Sequence, residues 1–303
     1  MSDNHVEIQK PFLKWVGGKT QIINKIIEKF PRKMNNYYEI FLGGGSVLLA
    51  ILSLEKHGKI IIKNKIYAYD LNESLIDVYK NIQSNKNELF EYITTYISEY
   101  DNIVHNSINR NPSTIEEAKT SKESYYYWIR NKFNNMDKKT IEYSALFMFL
   151  NKTCFRGIYR EGPNGFNVPY GHYKKTPTII TKDQLDVISD LIKNVEFICS
   201  DFRNSMVSIK KGDYVYIDPP YAPETKTSFV KYTVEGFDLD CHIALFDEIK
   251  KIKNKKIKFT MSNSKVSLVL DNFNDCNIED IIARRAINSK NPESITTEVI
   301  IYN

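Results

Sequence analysis

The sequence predicts an α/β protein with a mainly parallel sheet, interrupted by a helical insert. Three observations predict it. Short apolar runs ending at Gly or Asp alternate with segments of helical spacing over roughly the first 80 residues, and again beyond about residue 180. Between them, from about Asn85 to Leu150, apolar positions fall three and four apart with no strand pattern. At 303 residues, with 42% hydrophobic and 26% charged side chains, the chain can bury a sizeable core in one large or two modest domains.

Taken in order, the start MSDNHVEIQKPFLKW lacks a basic region followed by an apolar run, so it does not read as a secretory signal. No segment approaches the eighteen consecutive apolar residues of a membrane span. Cys154, Cys199, Cys241 and Cys276 make no CxxC pair, which points to free thiols in a reducing, intracellular compartment and to no metal site. The apolar run Tyr37 to Phe41 is closed by Gly43, Gly44 and Gly45, and SVLLAILSLEKHG then has helical spacing with a Gly stop. A second strand, Lys65 to Tyr69, ends at Asp70 before the amphipathic LNESLIDVYKNIQ, completing a βαβ unit. After the helical region, residues 151–178 are punctuated by Gly and Pro and rich in basic and aromatic side chains, which predicts a surface loop or hairpin. Helix TKDQLDVISDLIK, strands VEFICS and DYVYI, helix DLDCHIALFDEIKKI and strands KIKFTMS and EVIIY follow. The formal net charge of +5 neither demands nor forbids a polyanionic partner. The 20 Tyr and 16 Phe can serve a core or a stacking surface.

Three strings carry chemistry. Asp218-Pro219-Pro220-Tyr221 follows the buried run Tyr214 to Ile217, at the carboxyl end of a strand, where open α/β sheets bind ligands. Two prolines fix the backbone there, so the Asp218 carboxylate and the Pro219 carbonyl can face one amine beneath the flat Tyr221 ring. That describes a pocket for an exocyclic amine on a heterocycle. Phe41-Leu42-Gly43-Gly44-Gly45-Ser46 forms a strand-to-helix turn that a ligand can approach closely, with a helix N-terminus behind it. Asp70 lies 25 residues beyond Gly45, near the spacing of acids that bind ribose hydroxyls, although it also suits the N-cap of the next helix. GxxxxGK[ST] is absent, so the ligand expected is a nucleoside-bearing cofactor rather than a nucleoside triphosphate. PFLKWVGGKT, Pro11 to Thr20, sets Trp15, Lys19 and two glycines before a helix expected near Gln21.

In this order these strings resemble the Dam-type, alpha-group DNA adenine-N6 methyltransferases, through PFLKWxGGK, FNVPYGxYK and DPPY in combination. The resemblance runs from Pro11 to the last strand. It implies a Rossmann-like methyltransferase sheet from residues 1–80 and 181–303, binding S-adenosyl-L-methionine, with a helical target-recognition domain at 81–180. It implies cofactor contacts at Trp15, Lys19, Phe41, Asp70 and Asp218, at Gly43 and Gly45 beside the methionine portion, and at Asp201 and Phe202 beside the cofactor adenine. Phe155 falls where the family sets an aromatic wedge near a flipped base. Ile158, Arg160, Pro169 and Tyr173 fall at base-edge contacts, as does Lys14. Arg156 departs from the Asn usual in GATC-modifying relatives, which leaves the target sequence open.

The expected activity is methyl transfer to adenine N6 in a short double-stranded DNA site, GATC first and CATG second, by base flipping and with S-adenosyl-L-homocysteine as product. N4-cytosine methylation suits the same amine pocket, and a catalytically silent DNA-binding relative is the rival outside enzymology. Arg160 reads either a guanine edge or a phosphate. Residues 151–175 hold a single acid, Glu161, so the weak net charge conceals a basic, aromatic face expected to bind DNA in a salt-sensitive way. Tyr125 to Trp128 are expected to pack between the helical insert and the sheet, while His172, Arg284 and Arg285 suit backbone phosphates or solvent. The expected assembly is a monomer or weak dimer, with a restriction endonuclease as partner and a bacterium, phage or large DNA virus as source.

Overall fold

The structure, a computed structural model, describes residues 6–223, 236–284 and 295–303, with side chains at all of these save 283, 284, 295 and 296. In chain order it runs α1 (Ile23–Ile27), β1 (Lys33–Met34), β2 (Tyr37–Glu39), α2 (Ser46–Lys56), β3 (Ile61–Ile62) and β4 (Ile66–Asp70). Helices α3 (Glu73–Ser84), α4 (Lys86–Asp101), α5 (Ile115–Ala118), α6 (Lys122–Asn135) and α7 (Ile141–Thr153) follow. A 3-10 turn at Phe155–Gly157 leads to β5 (Glu161–Gly162), β6 (Gly165–Phe166), α8 (Lys182–Ile192), β7 (Val195–Cys199), α9 (Phe202–Ser205) and β8 (Tyr214–Ile217). Then come α10 (Leu239–Asn254), β9 (Lys258–Ser264), α11 (Ser267–Asn272), β10 (Asn277–Arg284) and β11 (Ile295–Tyr302).

The chain divides into two compact units. One is built mainly from Lys19–Leu71 and Asn194–Asn303, the other from Gln9–Gly18 and Asn72–Lys193. The first holds a seven-stranded sheet in the order β10-β11-β9-β8-β2-β4-β7. Strands β9, β8, β2, β4 and β7 are parallel, as the alternation of strand and helix predicts. Strand β11 runs antiparallel to β9, and β10 antiparallel to β11. From β2 the chain steps outward to β4 and β7, and later in the other direction from β8, so the strand order reverses between β2 and β8. Ligands of open α/β sheets bind in the crevice beyond the carboxyl ends of strands at such a point.

All four residues of β8 are buried, which is why YVYI reads as a continuous apolar run rather than an alternating one. On one face Val215, Ile217, Phe259 and Met261 join Leu245, Phe246, Ile249 and Ile252 of α10 in the core. Each such side chain contributes about 1.5–3 kcal/mol by leaving water. The other face is lined by hydroxyls. Tyr214 bonds Thr260 at 2.6 Å and Tyr216 bonds Ser262 at 3.0 Å, while the Phe30 ring packs against Tyr37, Tyr214 and Tyr216.

The second unit is helical, with the two-residue strands β5 and β6 as a hairpin, Glu161 opposite Phe166. Its core is also aromatic: Tyr79, Tyr100, Tyr125, Tyr126, Tyr143 and Phe149 are fully buried. Tyr125 donates to Glu99 and Tyr126 to the Val168 carbonyl, and their rings meet Tyr100, Phe149 and Tyr170. Packing was expected for this tyrosine run, but these partners are helices and loop of its own unit rather than the sheet, because successive aromatics on α6 face different neighbours.

Two further expectations need correction. The N-cap of α3 is Asn72, whose side chain accepts from Leu75 N at 3.0 Å, so Asp70 does not cap that helix. Strand β10 was not foreseen. It carries Glu279 and Asp280 in its middle and pairs on one side alone, with β11, so its apolar pattern is weak. Among the described residues no helix is long and apolar enough to cross a membrane, and no group of three His, Cys, Asp or Glu could hold a metal ion. The four cysteines are free thiols.

Candidate active site

The segment Asp218 to Tyr221 leaves β8 at its carboxyl end, beside the reversal of strand order. Lys19 Nζ lies 2.8 Å from Asp218 Oδ2. The ammonium is only 5% exposed and the carboxylate 19%, so each would be costly to keep there without the other. Ser262 Oγ, from β9, donates to Asp218 Oδ1 at 2.7 Å and is itself bonded to the Tyr216 hydroxyl. Lys19 is tied in turn to the start of α2, its backbone N donating to Ser46 Oγ at 3.0 Å. An ionised carboxylate offers about four lone-pair sites, so these two bonds leave Asp218 acceptor capacity for an incoming amine.

Tyr221 is fixed at both ends. Its hydroxyl donates to Glu298 Oε2 at 2.8 Å, and the next residue is pinned through Ala222 N to Asn263 Oδ1 at 3.1 Å. The Lys19 ammonium stands 4.8 Å from the centre of the Tyr221 ring. Burial, then the Asp218 and Glu298 carboxylates, hold the phenol well above its usual range, so it stays a donor. Pro219 is buried and Pro220 exposed.

The glycine turn lies at the end of β2. Gly43 and Gly45 both have positive φ, 50° and 67°, and Gly45 is the N-cap of α2. A side chain at either would be strained there. Asp70, at the end of β4, accepts from Gly43 N at 2.9 Å, so the two strand ends are joined by the acid the sequence singled out. Glu39 is a buried acid that sequence reasoning passed over. It accepts from the Tyr37 hydroxyl at 2.7 Å. Burial pushes its carboxyl up to about 8, against the Tyr37 and Leu48 N hydrogen bonds, with the nearby Asp218 charge adding to the rise. An acid inside the apolar run YYEI was the available signal.

Asp201, two residues beyond β7, is the N-cap of α9 and pairs with Arg203 at 3.1 Å. Phe202 is buried, and its ring forms a triangle with Phe41 at 6.1 Å and Phe237 at 5.7 Å. Phe237 also meets His242, whose pKa burial lowers to about 4. Neither Phe237 nor His242 was foreseen. The sheet unit thus brings Lys19, Asp218 and Tyr221 into direct contact, ties Gly43 to Asp70 by a hydrogen bond, and groups Phe41 with Phe202 in a further cluster.

Lys14, Trp15 and the 151–175 stretch belong to the helical unit. Lys14 is clamped by Asn151, its N donating to Oδ1 at 2.9 Å and its carbonyl accepting from Nδ2 at 2.7 Å. Lys14 Nζ donates to the Tyr173 hydroxyl at 3.0 Å, and Tyr173 donates to the Cys154 carbonyl at 2.9 Å. Trp15 meets Phe147 and Tyr159, whose rings also meet each other 5.3 Å apart, so the three form a triangle. Phe155 is 43% exposed, and Arg156 beside it adopts φ 57°. Gly157 follows at φ 68°, where an added Cβ would lie 2.4 Å from Lys14 Cβ. Ile158 is half-buried and Pro169 exposed, with the Pro169 carbonyl accepting from Phe155 N at 2.8 Å. Arg160 Nε donates to Asn167 Oδ1 at 2.7 Å. Lys152 is lowered to about 8 by burial and by Lys14. His172 is exposed, 3.9 Å from Glu123. Arg285 and the Arg284 side chain lie outside the described residues.

Three relatives are similar over most of their lengths. They are the Type II methyltransferase M.MjaIII of Methanocaldococcus jannaschii, 36% identical over 93% of both chains; the Type II methyltransferase M1.LlaDCHI of Lactococcus lactis, 32% identical over 97% of this chain and 95% of that one; and the DNA adenine methylase of Haemophilus influenzae, 31% identical over 94% and 89%. Residues 15–287 match the family model throughout, and the chain belongs to the D12 class N6 adenine-specific DNA methyltransferases.

Proposed function

We propose that the chain transfers a methyl group from S-adenosyl-L-methionine to adenine N6 in a short double-stranded site, with GATC the first sequence to test and CATG the second. The observation that carries this reading is the Asp218 carboxylate, held by Lys19 and Ser262 beyond the end of β8 and beside the left-handed glycine turn of β2.

The sheet unit's residues fit the donor. Gly43 and Gly45 open the backbone ahead of the α2 N-terminus, Asp70 supplies a carboxylate at the next strand end, and Phe41, Phe202 and Phe237 offer an apolar aromatic wall. Trp15 and Asp201 complete the proposed set. When bound, the cofactor supplies an electrophilic methyl group on a sulfonium, and S-adenosyl-L-homocysteine is its product. The adenine must leave the duplex stack, at a cost of a few kcal/mol. The Asp218 carboxylate and the Pro219 carbonyl then accept from N6, pulling its lone pair out of conjugation and aiming it, while Tyr221 stacks on the base. Placement rather than acid–base chemistry carries the rate.

Residues 81–180 are the proposed DNA reader. Phe155 and Arg156 stand at its wedge, with Lys14, Ile158, Arg160, Pro169 and Tyr173 at base edges. The Type II names of two relatives support a restriction endonuclease as partner. Replacing Asp218 by Ala tests the site: methylation should fall at least about a thousandfold, as when a group acting in the transition state is removed, while DNA affinity stays within a few-fold. Retained turnover would overturn the assignment.

A further inference from the structure

We propose that Glu298 is a positioning residue for the transfer step, holding the Tyr221 ring and making its face more electron-rich as positive charge reaches the adenine. The inference rests on the reading of Asp218 to Tyr221 as an adenine-methylating site, and it adds a residue 77 positions away in sequence. Glu298 lies in β11 directly opposite Ser264 of β9. Its Oε2 accepts the Tyr221 hydroxyl at 2.8 Å. Ser264 Oγ donates to the Ala222 carbonyl, and Asn263 Oδ1 accepts from Ala222 N. The ring is therefore secured at its hydroxyl and at its backbone by two paired strands.

Two physical consequences follow. The first is orientation: a ring tied at both ends has lost the rotamer freedom that stacking would otherwise have to remove. The second is electronic. A phenol donating to a carboxylate gains electron density, and an aromatic face attracts cations more strongly as it becomes more negative. The site already displays that attraction, with the Lys19 ammonium 4.8 Å from the ring centre. During transfer, N6 forms its bond to the methyl carbon as the carbon–sulfur electron pair leaves with sulfur. Positive charge passes to the adenine, and an N6 proton is then lost to water. Tyr221 thus stacks on a neutral base before the step and on a cationic one during it. An interaction that strengthens only then raises the rate and leaves affinity almost unchanged. Burial and the two carboxylates hold the phenol well above its usual range, so Tyr221 stays the donor in this bond.

The test compares Glu298→Ala, Glu298→Gln, Tyr221→Phe and the Tyr221→Phe/Glu298→Ala double variant. The measurements are single-turnover methyl transfer, DNA affinity, melting temperature and the fluorescence of 2-aminopurine at the target base, which reports flipping. E298A should slow transfer roughly tenfold, with DNA affinity and the flipping signal within about twofold of wild type. E298Q, which keeps an acceptor but not the charge, should fall between. The double variant should be no slower than Y221F alone, because both changes remove one interaction. Transfer at the wild-type rate in E298A, additive losses in the double variant, or a loss that follows DNA affinity would overturn the proposal. Should E298A melt far below wild type, E298Q decides, and a wild-type rate there overturns it. A wild-type chain that methylates no DNA would refute the underlying reading instead.

Discussion

Asp218 and Tyr221 are held by side chains from distant residues, Lys19, Ser262 and Glu298, whereas Phe155 and Arg156 sit on a tight turn with the Arg156 guanidinium 5.3 Å from the centre of the Phe155 ring. In the sheet unit, each tie joins residues far apart in sequence, 44 positions for Ser262 and Asp218 and 77 for Tyr221 and Glu298. In the helical unit, Arg156 and Gly157 adopt consecutive left-handed conformations, Phe155 is fixed by Pro169 through its own backbone N, and its ring stands 43% exposed. The difference suits two tasks. A group that reacts gains rate from being preorganised against its neighbours. A group proposed to enter a duplex, as Phe155 is, has to stand out of its own surface, which leaves its own turn to hold it.

That contrast can be broken at several points, the loss of Asp218 being the largest expected effect. Next is the buried acid of the sheet. Folded Glu39 keeps its proton to about pH 8, whereas the unfolded chain releases it near 4.5, so stability falls as pH rises between these values. His242, lowered to about 4 from 6.5, acts in the opposite sense below 6.5, and Lys152, lowered to about 8, does so above 8. From pH 6.5 to 8 Glu39 therefore dominates these three groups. Wild type should lose about 2 kcal/mol across that window, roughly 5 °C of melting temperature. Glu39→Gln keeps the acceptor for Tyr37 and should melt nearly independently of pH there; an unchanged slope would remove Glu39 from the account.

In the proposed reader, Gly157→Ala puts a Cβ against Lys14 and strains a left-handed backbone. It should cost about 1–3 kcal/mol in stability or DNA affinity, while an equivalent change at an exposed, helical position should cost little. DNA affinity and melting temperature equal to wild type would mean that backbone does not set the display. The smallest and most informative change is Arg160→Ala. Its Nε is already held by Asn167, and its loss should relax discrimination at one base pair by about 1–3 kcal/mol. Binding measured on a panel of altered sites separates this from a phosphate contact, which would weaken every sequence alike.

The parallel strands were legible because buried strands leave continuous apolar runs such as YVYI, and the glycine turn because positive φ selects Gly at 43 and 45. Asp218, Asp70 and Lys19 were legible as chemistry, but their partners were not. Nothing local links Ser262 or Glu298 to the strand they serve; only the register of β9 and β11 does. Burial explains the Tyr-rich composition better than stacking on bases does, since eight tyrosines are among the largest fully buried side chains. The second edge strand escaped notice because its acids interrupt the apolar alternation.

The base and the site methylated are the most direct readout of the proposed activity. Sequencing modified bases in DNA from a methylation-free host expressing this chain measures both at once. N6-methyladenine should be confined to one short duplex sequence, GATC before CATG, and absent from a host carrying D218A. N4-methylcytosine, or DNA without any added methyl group, would contradict that activity.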